Sequence, residues 1–201
     1  MSYASWLAPN KTSGSGNDTV NVSASVHTGR GVRETLLTFS AANCQTIGRA
    51  VAQQGAVEFV NIQSTKAAEK GGGTITITGT SNSKKLTFTS AVGEAYTELT
   101  IPTHYTAAGV TTENGTDIAG DPGNAAEYSF SITITIPSNT SVSTAYFQLI
   151  VTDNAGNTSA CDITQAAGDA YLNVSPSELV LNADGTAKSF TVSSNTNWTV
   201  S

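Results

Sequence analysis

The chain has 201 residues, a formal charge of −6, 38% hydrophobic residues and only 12% charged ones. Its few cations, among them Arg30, Arg33, Arg49 and Lys66, are scattered, so it lacks the basic stripe that a phosphate backbone needs, and nucleic acid is disfavoured as a partner. With charge at about half the usual globular share, polar surface must come from Ser, Thr, Asn and Gly, residues that suit half-solvated strands and turns.

Taken in chain order, the opening "MSYASWLAPNKTSG" has neither the basic region nor the apolar core of a secretory signal. Two readings follow: Met1 heads an excised piece, or the protein reaches the outside by another route, inside or upon a virion. Period-two alternation then predicts strands at 19–26, 34–39, 74–78, 85–89, 129–136, 146–151, 171–174, 179–181 and 189–192, separated by Gly, Asn, Asp, Pro or Ser. In Ser129-Phe130-Ser131-Ile132-Thr133-Ile134-Thr135-Ile136 one face is apolar and the other hydroxylated. No stretch sustains a helical period. Tyr146 to Val151, the longest apolar run, falls well short of the roughly 18 residues of a membrane span. The expected fold is all-β, as tandem immunoglobulin-like β-sandwich domains. The segment 105–128, with "TTENGTDIAGDPGN", is long for a loop in such a fold.

The chain also overlies itself. "LTFSAANCQTIGRAVAQ" at 37–53 matches "LIVTDNAGNTSACDITQ" at 149–165, an offset of 112 residues. Phe59-Val60-Asn61-Ile62 matches Tyr171-Leu172-Asn173-Val174 at the same offset, and Ser81-Asn82 matches Ser194-Asn195 one residue later. Upstream, Gly16-Asn17 matches Gly123-Asn124 at 107. The phase of this repeat makes 58–168 a complete domain with a long insertion, 1–57 the later strands of a preceding unit and 169–201 the first strands of a following one. The two end pieces together approach one sandwich of about 100 residues. They would complete one another within a chain or between chains, with Trp6 and Trp198 as the shared core, unless neighbouring domains of a longer protein cover them. Two cysteines, Cys44 and Cys161, fall in different units and read as free thiols.

"YLNVSPSELVLNADGTAKSFTVSSNTNWTVS" resembles the opening of a BACON domain, the Bacteroidetes-associated Ig-like module, and "SWLAPNKTSGSGNDTVNVSASVHTGRGVRETLLTFSAANCQTIGRAVAQQG" resembles the remainder of one. Asn195, Trp198, Trp6, Leu7, Gly14, Gly16, Asn17, Arg33, Gln53 or Gln54, and Gly55 carry the likeness. The central unit departs from it, with Lys85 and Leu86 where the first Trp would stand. The resemblance implies a place among secreted glycan-processing proteins or gut phage structural proteins, and either carbohydrate binding or a spacer role.

Candidate chemistry is sparse. His27 and His104 lie in different units, and no Gly-x-Ser-x-Gly, His-Glu-x-x-His or phosphate-loop pattern occurs. A non-enzymatic protein without cofactor is therefore expected. Glu113, Asn114, Asp117 and Asp121 offer oxygen ligands for calcium, but not at EF-hand spacing, and turn chemistry explains the same letters. For stacking on sugar rings, Tyr96, Tyr105 and Tyr128, which flank the insertion, are the candidates, against the plainer reading that they pack a core. The leading expectation is a structural or adhesive repeat protein of a virion or bacterial surface, with copies of itself or neighbouring Ig-like domains as partners. The other is a glycan-binding module of a larger secreted protein. No membrane partner is expected.

Overall fold

A computed structural model describes residues 3–93 and 95–201. Among the described residues the regular elements are strands, apart from one 3₁₀ turn at Pro122–Asn124. The first flank holds β1 (Leu7–Pro9), β2 (Val22–Ala24), β3 (Arg33–Phe39) and β4 (Ile47–Gln53). The central unit holds β5 (Val60–Ile62), β6 (Thr65–Ala68), β7 (Gly73–Ser81), β8 (Leu86–Ser90), β9 (His104–Ala107), β10 (Val110–Glu113), β11 (Tyr128–Ile136), β12 (Ala145–Asp153) and β13 (Thr158–Gln165). The second flank holds β14 (Leu172–Ser175) and β15 (Thr191–Ser194).

The central unit is a two-layer sandwich, with one sheet ordered β10-β9-β11-β7-β5 and the other β6-β13-β12-β8. The alternation seen in the sequence produces this directly. In β11 every second residue from Tyr128 to Ile136 is buried, and in β12 Phe147, Leu149 and Val151 are buried against them. Ile132 faces Ile77 across the sheet, and Phe88 packs edge-on against Phe130 with centroids 5.7 Å apart. Each such side chain contributes about 1.5–3 kcal/mol by leaving water. The apolar cluster runs from Val60 to Ile163.

The insertion is more ordered than its composition suggests. Residues 104–113 form the β9–β10 hairpin, turned at Ala108-Gly109 with φ of 50° and 80°, and β9 joins β11 at the sheet edge. This hairpin accounts for the segment 105–128 being long for a loop. Tyr105 and Ala107 put two inward residues on β9, which is enough to attach it.

In the flanks the repeat extends to hydrogen-bond register. Arg33↔Gln53 through Phe39↔Ile47 of β3–β4 become Ala145↔Gln165 through Val151↔Ser159 of β12–β13 at the same offset of 112. Val60↔Ser81, Asn61↔Thr80 and Ile62↔Gly79 of β5–β7 become Leu172↔Ser194, Asn173↔Ser193 and Val174↔Val192 of β14–β15.

Three predicted strands shrink or vanish. Of 19–26 only β2 forms; 189–192 starts late, at Thr191; and 179–181 forms none. A strand persists where a neighbour takes up its backbone groups. β7 runs nine residues because β11 lies along all of it, whereas β15 has only β14. Among the described residues, β14 and β15 pair with each other alone, and no strand of the first flank joins them. Trp6 and Trp198 therefore share no core within one chain. Trp6 is half-buried with the Arg33 guanidinium 4.7 Å above its ring, and Trp198 is 49% exposed.

Candidate functional site

Two features organise polar side chains: the joints where the central unit meets each flank, and the outer face of its four-stranded sheet.

The first joint is built around Asn82, which follows β7 and is fully buried. Its amide nitrogen donates to the Thr28 carbonyl (3.1 Å) and the Val57 carbonyl (3.0 Å), while its oxygen accepts from the Phe59 N–H (2.9 Å). The Ser81 hydroxyl donates to the Phe59 carbonyl (2.7 Å), and the Ala56 N–H donates to the Gly29 carbonyl (2.8 Å). One carboxamide thus uses both donors and its acceptor to hold three backbone groups on two segments, at Thr28 and at Val57 to Phe59, which Asp or Leu of similar size cannot do.

The second joint repeats this atom for atom. Asn195 donates to the carbonyls of Thr140 (3.0 Å) and Asp169 (2.9 Å) and accepts from the Tyr171 N–H (2.9 Å). The Ser194 hydroxyl donates to the Tyr171 carbonyl (2.9 Å), and the Gly168 N–H donates to the Ser141 carbonyl (2.7 Å). Every partner stands 112 residues after its counterpart, and Ser194 and Asn195 stand 113 after theirs. His27, bonded to the Gly31 carbonyl, corresponds to Asn139, whose amide donates to the Ser143 carbonyl.

The first joint is reinforced by the insertion. The Arg30 guanidinium donates to the Asn82 carbonyl (2.5 Å) and pairs with the Asp121 carboxylate, while the N–H groups of Arg30 and Gly31 donate to the carbonyls of Gly123 and Asn124, each at 2.8 Å. Two glycines permit this approach: a Cβ on Gly29 would run into the Ala125 backbone, and one on Gly123 into the Asn82 carbonyl. The second joint has instead Lys70–Asp169 at 2.6 Å, an exposed pair that contributes little in water.

Three of the four residues that had suggested calcium have protein partners. Asp121 faces Arg30, Asp117 faces Lys84 at 3.5 Å, and the Asn114 amide bonds both backbone groups of Phe88 at 2.8 and 3.0 Å.

Of the three tyrosines proposed to stack on sugars, two are corrected by burial. Tyr105 and Tyr128 are 3% and 7% exposed and belong to the core, because each occupies an inward position of its strand. The Tyr128 hydroxyl donates to the Ser83 carbonyl (2.8 Å), and burial raises its pKa far above the ordinary phenol value. The Tyr105 ring packs on Phe88 (4.9 Å between centroids); its hydroxyl has no hydrogen-bond partner among the described residues, and burial pushes it up to about 12. Tyr96 remains at the surface. Gln148 donates to its hydroxyl (3.3 Å) and to Asp162 (2.8 Å), and Tyr96 lines an open depression with Tyr146, which is 52% exposed. Tyr146 was not singled out by sequence; its outward place on β12, next to inward Phe147, was the available signal. His104 bonds Thr103, its chain neighbour, and His27 serves the first joint.

Cys44 is exposed in the β3–β4 loop, and Cys161 is buried in β13, where burial first and the Asp162 carboxylate second push its thiol up to about 11.

No family model and no curated protein matches the chain. Among solved structures, it is similar to zebrafish RET cadherin-like domains 1 to 4, at 11% identity and a TM-score of 0.34, over 84% of this chain and 41% of that one. The chain thus spans less than half of that structure's length.

Proposed function

We propose that the chain is part of a non-enzymatic run of Ig-like units that serves as a structural or adhesive element of a phage virion or bacterial surface. The observation that carries this reading is the recurrence of one asparagine-centred joint on both sides of a complete sandwich. A repeated joint sets neighbouring units in one relation, which is what a stalk or fibre requires. The central unit also suits load. Its early strand β6 and last strand β13 run parallel, Asp162↔Thr65 to Gln165↔Ala68. Tension applied through the two flanks shears that pair, so its hydrogen bonds must yield together. The BACON-like motifs and the hydroxyl-rich, weakly charged surface fit the same setting.

Carbohydrate binding is the second reading, and the half-buried Tyr96 and exposed Tyr146, with Gln148 and Asp162 bonded to the Tyr96 hydroxyl, favour it. Two aromatic faces with an amide and a carboxylate supply stacking and hydrogen bonding to a sugar. A mucin-glycan array separates the two. The structural reading expects no saturable binding. Saturable binding abolished by Tyr96→Ala or Tyr146→Ala would replace it with the glycan reading.

A further inference from the structure

The segment 114–124 of the insertion touches two places at once: the first joint and the outer edge of β8. On its inner side β8 pairs with β12, from Leu86↔Asp153 to Ser90↔Leu149. On its outer side no strand lies among the described residues, and the insertion takes that place group by group. The Ile118 N–H donates to the Lys84 carbonyl (2.8 Å), Asp117 and Lys85 form an antiparallel bridge, and the Gly115 N–H donates to the Leu86 carbonyl (3.0 Å). The Asn114 carboxamide then serves both backbone groups of Phe88. Covering an edge in this way occupies backbone groups that would otherwise pair with a stray strand. Ile118, buried in the core cluster, anchors the segment.

The same segment runs straight on into the joint. The Asp121 N–H donates to the Ile118 carbonyl (3.1 Å) and the Asn124 N–H to the Asp121 carbonyl (3.0 Å), while the Asp121 carboxylate pairs with Arg30. A continuous hydrogen-bonded path therefore links Arg30, Asp121, Ile118 and Lys84 at the edge of β8. Of the two joints, the first alone is shaped for this clasp. At the offset of 112, Gly29-Arg30-Gly31 becomes Ser141-Val142-Ser143. Val142 offers a carboxylate no charge. A Cβ at the place of Gly29 would run into the Ala125 backbone, and Ser141 carries one. The second joint therefore cannot receive an insertion docked in the same way.

We propose that the insertion is a strap that couples the first joint to the edge of the central sandwich: closure on Arg30 holds residues 114–118 against β8, and release of Arg30 loosens both. A coupling of this kind requires one discrete element that both ends bias, and the strap is that element. Coupling free energy is reciprocal, so disturbing the β8 end must loosen the joint as well. The device acts in one direction along the chain, tying the central unit to the residues before it and leaving the second joint uncoupled. It belongs to the fold and holds under either reading of function.

The test is amide hydrogen exchange in the 201-residue chain, with far-UV circular dichroism confirming that each variant folds. In Arg30→Ala, the N–H groups of Phe88, Gly115 and Ile118 should exchange roughly tenfold faster, the ratio that loss of one charge-assisted hydrogen bond implies, and this rise should exceed any change in β11. In Asn114→Ala, the N–H groups of Arg30 and Gly31, which bond Gly123 and Asn124, should speed up in turn. Should Arg30→Ala not fold, Asp121→Asn replaces it: Asn tolerates the left-handed backbone of Asp121 (φ 40°) and removes only the charge. Unchanged exchange at Phe88, Gly115 and Ile118 would overturn the proposal. So would a rise no larger than that in β11, which marks a general loss of stability, or an Asn114→Ala variant in which Arg30 and Gly31 keep their rates.

Discussion

Replacing Asn82 by Ala removes three side-chain hydrogen bonds at 2.9–3.1 Å from a fully buried site. At a net ~0.5–1.5 kcal/mol each, the loss is about 2–4 kcal/mol. For a domain of about 100 residues that corresponds to a fall in melting temperature of roughly 10–20 °C. Asn195→Ala removes the same three bonds, but Asn195 is only half-buried, so water takes over part of the bonding and the loss is about 0.5–1.5 kcal/mol. Urea denaturation followed by circular dichroism measures both, and amide exchange locates the effect. In Asn82→Ala, protection should fall at Phe59, whose N–H loses its acceptor. A cost below about 1 kcal/mol for Asn82→Ala, or equal costs for the two variants, would refute the assignment of Asn82 as the buried hub.

The two buried tyrosines predict opposite signs. Tyr105→Phe removes a hydroxyl with no partner and should be neutral or stabilising by up to about 1 kcal/mol, whereas Tyr128→Phe loses the bond to Ser83 and should cost about 0.5–1.5 kcal/mol in the same denaturation assay. Both phenols have raised folded-state pKa values, Tyr105 to about 12. Their contribution is therefore complete below the unfolded value of 10.0 and is lost as pH rises through the folded values, so stability should decline from about pH 10 upward in an alkaline titration. Cys44 should react with a thiol reagent in the folded protein and Cys161 only after unfolding, read by mass spectrometry.

Strands were legible where alternation met a partner on both sides. Ser129 to Ile136 formed as read because β7 and β9 flank it. Leu179 to Leu181 has a similar pattern but pairs with no strand among the described residues, and alternation cannot say whether a partner is present. The β9–β10 hairpin was hidden because each strand has four residues and only Tyr105, Ala107 and Thr112 face inward. The same shortness concealed the burial of Tyr105. Tyr128 was readable in principle: it stands two residues before Phe130, in phase with Ile132, Ile134 and Ile136. The joints had one visible trace, the match of Ser81-Asn82 to Ser194-Asn195. An Asn beside a turn is commonplace, and its role depends on three carbonyl and amide groups up to 54 residues away. Only the fold brings those together.

The most direct test of a load-bearing role is to stretch a single chain from its two termini. If β6 and β13 clamp the central unit in shear, extension should show one abrupt unfolding event, releasing about 100 residues at ~3.5 Å each, or ~350 Å of contour less the folded span. Asn82→Ala should leave that step length unchanged, because the clamp lies outside the joint. Smooth extension at low force, with no step of that length, would contradict the account.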